Sequence, residues 1–255
     1  MADSPTDLPV SRYAAGDGQQ LAFRETGEGR PVVLVHGYFS SAWTNWIRYG
    51  HAELIAAAGF RVIMPDLRAH GESAKPHDPA AYPPDVLVDD LFALIAHLEL
   101  TDYDLVGYSL GGRTAVRMLA RGATPRRAVI SGMGLDGIVR TGARGRYFRH
   151  VLTNLGSFDR GSAEWMTEAF LKTTRGDPVA LLNILDTFVD TPREQLAEIG
   201  IPCCVINGVD DDDNGSGQAL ADALGNGRFV EIPGNHMSAV ARSDLGIAIR
   251  DYLLS

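Results

Sequence analysis

The segment Asp104-Leu105-Val106-Gly107-Tyr108-Ser109-Leu110-Gly111-Gly112 constrains the fold of this chain more than any other. A short apolar run of β type enters Gly-x-Ser-x-Gly and continues directly into a helical pattern. A strand-to-helix turn this tight needs residues without bulk two before and two after the serine, and Gly107 and Gly111 meet that need. Ser109 then projects from a strained corner, its hydroxyl exposed and a helix N-terminus behind it.

The same rhythm of strand, loop and helix recurs along the chain. Residues 10–15 and 20–25 read as strands joined by Gly16-Asp17-Gly18, a hairpin turn signal. Residues 31–36 and 60–65 are continuous apolar runs of the buried-strand kind. Between them a helix is expected from about 42 to 58. Asp85 is expected to cap a helix reaching about residue 100, with apolar positions at Leu87, Leu91, Leu94, Ile95 and Leu98. Strands at 104–108, 127–131, 202–207 and 228–232 alternate with helices at 111–121, 218–224 and 244–254. Such spacing implies right-handed βαβ units and a largely parallel sheet covered on both faces. From about 135 to 191 no β-type run occurs, and amphipathic patches at 165–171 and 179–189 read as a helical insertion. The organisation expected is an α/β core from 1–134 and 192–255, with a helical cap at 135–191. Residues 1–9, polar and Pro-containing, read as a loose arm.

Hydrophobic residues make up 45% and charged residues 22% of the chain, as in ordinary globular proteins. A formal net charge of -9 argues against nucleic acid and anionic membranes as partners. Cys203 and Cys204 are neighbours in an apolar run and point to opposite faces of a strand, so no disulfide between them is expected. That fits a reducing compartment. Met1–Pro5 has neither a basic nor an apolar stretch, and no apolar run is long enough to span a bilayer, so a cytoplasmic protein is expected. Gly107–Gly112 lacks both Gly-x-Gly-x-x-Gly and the Walker lysine, which argues against phosphate binding. His51, His77, His97 and His150 read as surface or helix-face residues without metal-ligand spacing, so neither metal nor cofactor is expected.

A serine hydroxyl needs a base within hydrogen-bond reach, and the base needs an orienting acid. Downstream of Ser109, Gly208-Val209-Asp210-Asp211 leaves one strand end and Gly234-Asn235-His236 leaves the next. Together with His36-Gly37-Tyr38-Phe39, Asp66–Ser73 and Gly107–Gly112, these segments resemble the α/β-hydrolase superfamily over about residues 20–255. The chain is most similar there to the small esterases, lipases and cofactor-free haloperoxidase-like members. The resemblance implies a mostly parallel central sheet of about eight strands, helices on both faces and a small helical cap. It implies Ser109 as nucleophile and His236 as base. The acid falls at the fourth position of a Gly-x-x-Asp segment, which is Asp211, with Asp210 the alternative within a run of four aspartates. The other aspartates of the run should be solvated, and Asp213 or Asn214 could cap the helix near Ser216. One departure is clear: the Val-Pro or Ile-Pro that often follows the acid is replaced here by Asp212-Asp213-Asn214-Gly215-Ser216.

The resemblance places the oxyanion donors at the backbone N–H groups of Leu110 and Tyr38. His36 is expected to brace the oxyanion loop, and His70 the loop beside it. Candidate pocket residues are Phe39, Tyr108, Met133, Trp165, Met166, Phe170 and Met237. About a quarter of the aromatic and Met side chains of the insertion (Tyr147, Phe148, Phe158, Trp165, Met166, Phe170, Phe188) are expected to face the pocket. The implied activity is hydrolysis of a small-molecule carboxylic ester through an acyl-enzyme. The same residues also suit lactone, carbon–carbon bond or perhydrolase chemistry, and a ligand-binding protein without turnover is the further alternative. Serine at the elbow argues against epoxide hydrolases and haloalkane dehalogenases, which carry aspartate there.

Overall fold

The computed structural model describes residues 8–255. The expected arm at 1–9 and the reading of Met1–Pro5 fall outside the described residues, apart from positions 8 and 9.

Eight strands form one sheet: β1 (Ser11–Ala14), β2 (Gln20–Thr26), β3 (Arg30–Val35), β4 (Phe60–Pro65), β5 (Asp104–Tyr108), β6 (Ala128–Ser131), β7 (Cys203–Gly208) and β8 (Gly227–Ile232). Their order is β1-β2-β4-β3-β5-β6-β7-β8. β1 pairs with β2, and β2 with β4, antiparallel; every other pair is parallel. The apolar runs are continuous because both faces are covered. Val32 and Leu34 enter one core cluster and Val33 and Val35 another. Cys203 and Cys204 divide in the same way, as free buried thiols on opposite faces.

The helices are α1 (His51–Ala56), α2 (Val86–His97), α3 (Leu110–Ala120), α4 (Leu135–Val139), α5 (Gly142–Thr153), α6 (Ala163–Thr173), α7 (Pro178–Leu185), α8 (Arg193–Ala197), α9 (Gly217–Ala223), α10 (His236–Ala239) and α11 (Ser243–Leu254). α1 and α11 cover one face, where Ile55, Leu245, Ile249 and Leu253 pack on Val32, Leu34 and Val106. α2 and α3 cover the other, with α9 beside them over β7 and β8. The chain between β6 and β7 is helical throughout its regular structure, from α4 to α8. No helix among the described residues is long and apolar enough to cross a membrane.

The strand order reverses between β3 and β5: the chain leaves β3 toward β4 on one side and returns through α2 to β5 on the other. Loops leaving two such strands diverge and open a crevice at their carboxyl ends. The loop after β3 and the Ser109 corner after β5 face each other across that crevice, and a Cβ placed on Gly37 would lie 3.3 Å from the Cβ of Ser109.

Three local expectations need correction, and a fourth is narrowed. The helix expected over 42–58 is broken: Trp43–Ile47 forms one π-helical turn, Gly50 takes φ 76°, and α1 starts only at His51. The left-handed φ at Gly50 redirects the axis, which a continuous helix forbids. Asp85 stands at the N-cap position of α2 but caps nothing. Its own φ of 61° turns the carboxylate toward α3, where Arg117 takes both oxygens at 3.1 and 2.5 Å. The cap of α9 is Ser216, whose Oγ accepts the Ala219 N–H, while Asn214 is buried and donates to the Gly132 carbonyl. Of the two readings of His51, helix face holds and surface does not. His51 is buried at the α1–α11 contact, and its Nε2–H donates to the Val240 carbonyl at 2.8 Å.

Candidate active site

The Ser109 corner is as tight as its glycines suggest. A Cβ on Gly107 would lie 2.2 Å from the Gly111 carbonyl oxygen, and one on Gly111 would lie 2.1 Å from that of Val35. Both neighbours are backbone and cannot yield. Ser109 itself is held at φ 53° and ψ -114°, in a region that costs an L-residue free energy. Its N–H bonds the Ser131 carbonyl at 2.8 Å, which ties the corner to β6.

The loops after β7 and β8 close on each other through two glycines. A Cβ on Gly208 would lie 2.0 Å from the Gly234 carbonyl oxygen, which accepts the Asp210 N–H. That close approach brings Asp211 to His236. Nδ1 of His236 lies 3.0 and 3.2 Å from the two Asp211 oxygens, and Nε2 lies 3.0 Å from Ser109 Oγ. With Nδ1–H donating to the carboxylate, Nε2 is left to accept the serine hydroxyl. The Asp211 side chain is 1% exposed. Asp210, Asp212 and Asp213 are exposed, and Asp213 pairs with Arg144 at 2.5 Å. His236 opens α10, a short helix ahead of α11 that a capping box between Asn235 and Ser238 holds in place. The Tyr108 hydroxyl donates to the His236 carbonyl at 2.6 Å, and burial beside Asp211 raises the Tyr108 pKa.

The loop after β3 is pinned from both ends. The Gly37 N–H donates to Asn45 Oδ1 at 3.1 Å. The Gly37 carbonyl accepts His36 Nδ1–H at 2.7 Å and the Ser40 N–H at 3.2 Å. In a trans peptide the N–H points opposite to the preceding carbonyl, so the Tyr38 N–H is turned away from these donors. Neither it nor the Leu110 N–H bonds an acceptor among the described residues. His36 Nε2 accepts the Leu67 N–H, and burial lowers the pKa of His36 and drives that of His70 far down, so both rings stay neutral. Beneath this loop Asp66, fully buried, accepts the N–H groups of Ala42 and Glu72, and Arg68 forks onto Asp90 at 2.7 and 3.0 Å.

Known proteins share this fold. The family model described as alpha/beta hydrolase fold matches residues 30–138, from β3 through the Ser109 corner into α4. The chain has the α/β-hydrolase fold. It is 29% identical to a non-heme chloroperoxidase of Kitasatospora aureofaciens over 91% of each chain. A bromoperoxidase from Bacillus anthracis superposes with a TM-score of 0.72 at 23% identity, covering 96% of this chain and all of that one. An esterase from Exiguobacterium antarcticum gives 0.77 at 19% identity, covering 96% and 99%.

In this hydrolase fold a cavity of about 410 Å³ opens beside Ser109 and His236. Tyr38, Phe39, Met166, Phe170 and Met237 line it, along with Tyr147 and Phe148. More of the insertion's aromatic and Met side chains therefore face the cavity than the quarter expected. Trp165 does not line it. Ala163, Met166, Thr167 and Phe170 recur at helical spacing on the cavity face of α6. One residue from Met166, Trp165 turns outward under Arg160. Tyr108 lines a smaller chamber of about 70 Å³ with Ser40, Thr44 and Asn45. Met133 lines another chamber, below Ser109 and Leu110. Sequence reading missed Asn45, Arg113 and Arg144. Asn45 carries no local signal, because its partner is eight residues away across a loop. Arg113 does carry one, as a charge one helical turn after the serine in an otherwise small and apolar stretch. Among the described residues no group of three acidic, His or Cys side chains is placed to hold a metal ion.

Proposed function

We propose that the protein is a serine hydrolase cleaving carboxylic esters through an acyl-enzyme. The observation that carries this reading is the chain of contacts from Asp211 to His236 Nδ1 and from Nε2 to Ser109 Oγ, at the floor of the cavity. Ser109 attacks the ester carbonyl while His236 takes its proton, and Asp211 holds the ring and stabilises the imidazolium. The tetrahedral oxyanion is received by the N–H groups of Tyr38 and Leu110, the second at the start of α3. His236 returns the proton to the departing alcohol, and water then repeats the sequence on the acyl-enzyme. No cofactor enters these steps. The aromatic cavity suits an apolar alcohol or acyl group.

The test is labelling by a fluorophosphonate probe and turnover of short p-nitrophenyl esters, compared with Ser109→Ala and Asp211→Asn. Labelling and turnover should vanish in the first variant and turnover should fall about 10⁴-fold in the second. A wild type that neither labels nor hydrolyses any ester removes the proposal; full activity in Asp211→Asn with loss in Asp210→Asn moves the acid. The chloroperoxidase relative, matched over 91% of each chain, favours a second outcome of the same intermediate. Hydrogen peroxide replacing water as acceptor would release a peracid and restore the serine. Peracid formation from an ester and peroxide, absent in Ser109→Ala, is its measure.

A further inference from the structure

The face of α6 that carries Met166 and Phe170 into the cavity beside Ser109 continues one turn further, to Thr173 and Thr174. There it walls a second cleft, of about 540 Å³. The other walls come from the loops after β3 and β4, so the cleft lies across the seam between those loops and the helical segment that follows β6. It is larger than the cavity at the serine, and the two share no lining residue.

Its charges run against those of the chain. The sequence has 32 acidic residues against 23 Lys and Arg, yet Arg24, Arg48, Lys75 and Arg175 line this cleft with only Asp66 and Glu72. Arg24 pairs with Asp66 at 3.3 Å, and the Asp66 oxygens also accept the N–H groups of Ala42 and Glu72. Arg48, Lys75 and Arg175 form no ion pair among the described residues. Lys75 donates to the carbonyls of Gly71 and Ser73, and Arg48 lies over the Trp43 and Tyr49 rings, each at 5.6 Å. Neither contact neutralises a charge. Three cations against the Glu72 carboxylate leave an excess of two positive charges, and a cleft of one sign focuses its field on a mobile ion.

Arg175 reaches the cleft from an unfavourable backbone. Its φ is 53°, at the left-handed position of a helix ending in which the Gly176 N–H bonds the Leu171 carbonyl and the Arg175 N–H that of Lys172. Glycine is the usual residue there. The carbonyl end of α6 favours a cation, but Lys172 already stands in its last turn. Arg175 adds a second, across the seam from Arg48 and Lys75.

We propose that this cleft is a second binding site, for a phosphate monoester of a small planar alcohol. Such an ester carries nearly two negative charges at neutral pH, matching the excess in the cleft, and its oxygens accept charge-assisted bonds from guanidinium and ammonium groups. Trp43, 37% exposed, gives the ester group a flat apolar wall. The volume suits a small organic molecule rather than a bare ion. The ligand ties Arg175 on α6 to Arg48 and Lys75 on the loops, and so holds the helix whose preceding turns line the cavity at Ser109. None of this depends on ester hydrolysis at the serine.

Phenyl phosphate is titrated against the whole protein by calorimetry at low salt, with benzoate in parallel. The wild type should bind phenyl phosphate at one site with a Kd below about 1 mM, and benzoate about tenfold more weakly. Added NaCl should weaken the binding. Arg175→Gly suits the left-handed backbone, so its melting curve should match or exceed that of the wild type while binding falls about tenfold. Arg48→Met should weaken binding likewise. Glu72→Gln removes the opposing carboxylate and should tighten binding about twofold to fivefold. The change in tryptophan fluorescence on binding should be lost in Trp43→Phe. Absence of saturable binding, or equal affinity for benzoate, overturns the proposal. So does an affinity that Arg175→Gly, Arg48→Met and Glu72→Gln leave unmoved, which would put the ligand in the aromatic cavity at the serine instead.

Discussion

Replacing Asn45 by alanine separates the stability of the proposed oxyanion loop from its accuracy. The Asn45 side chain sits in the wall of the smaller chamber, 3% exposed. Its Oδ1 accepts the Gly37 N–H, while its Nδ2 is buried without a partner. Truncation leaves the buried Gly37 N–H without an acceptor, which costs about 1–3 kcal/mol. It also removes the unpartnered Nδ2, and deleting a desolvated donor returns about as much. The two effects nearly cancel, so the stability change should stay within about 1 kcal/mol, or roughly 2–4 °C in Tm for a chain of this size. Catalysis has no such compensation. The peptide between Gly37 and Tyr38 keeps its carbonyl bonds to His36 and Ser40, but the peptide before it loses its anchor at Asn45, and rotation at Gly37 lets the Tyr38 N–H drift from its proposed oxyanion position. Complete loss of one such donor costs about 2.7–4 kcal/mol. Partial loss of aim should therefore lower kcat by about tenfold to a hundredfold. Steady-state hydrolysis of p-nitrophenyl butyrate and a melting curve on the same preparation measure both quantities. A kcat within twofold of wild type in a folded variant would refute the link between Asn45 and the proposed oxyanion donor.

Gly111→Ala places a Cβ 2.1 Å from the Val35 carbonyl oxygen, with backbone on both sides of the clash. It should cost more than about 3 kcal/mol, read as loss of soluble folded protein or of the thermal transition. Arg68→Met leaves the Asp90 carboxylate buried without its fork, and chemical denaturation should register about 3–5 kcal/mol of destabilisation. Burial lowers the pKa values of His36, His51 and His70 in the folded protein, so between the ordinary histidine range and those lower values the unfolded chain binds more protons. Stability should then be fully present above about pH 6.5 and fall as pH drops below it, with proton uptake on unfolding measurable at pH 6 by calorimetry in buffers of different ionisation enthalpy.

Much of the architecture was legible because both faces of the sheet are covered. That burial produces the unbroken apolar runs at β3, β5 and β7, which no surface strand would carry. Gly107 and Gly111 were legible for a related reason: a turn with backbone on every side admits only hydrogen at those positions. Asp211 and His236 could be placed on strand ends, but their meeting depends on the contact of Gly208 with Gly234, which no local pattern encodes. The break at Gly50 was missed because the residues on either side keep helical periodicity, and only the left-handed φ interrupts it. Asp85 was misread as a cap and the burial of His51 was left open for one reason: the neighbour that claims the side chain, Arg117 or the Val240 carbonyl, comes from another part of the chain. Trp165 shows the limit of composition within a helix: one residue of rotation about α6 separates a cavity wall from the outside.

The position of His236 has a consequence for how the site is lost. It follows β8, which ends the sheet and has β7 as its single strand partner. Most of β8 is exposed or half-buried, whereas β5 is buried throughout. Ser109 is thus anchored in the centre of the sheet and the His236 ring that meets it on the edge. Local opening of the β7–β8 ladder withdraws the imidazole while the serine corner, the loop after β3 and both core layers remain intact. Opening free energies are lowest at such margins and approach the global value only in the interior. The proposed chemistry therefore has a lower threshold for failure than the fold, set by one strand pairing at the sheet's end.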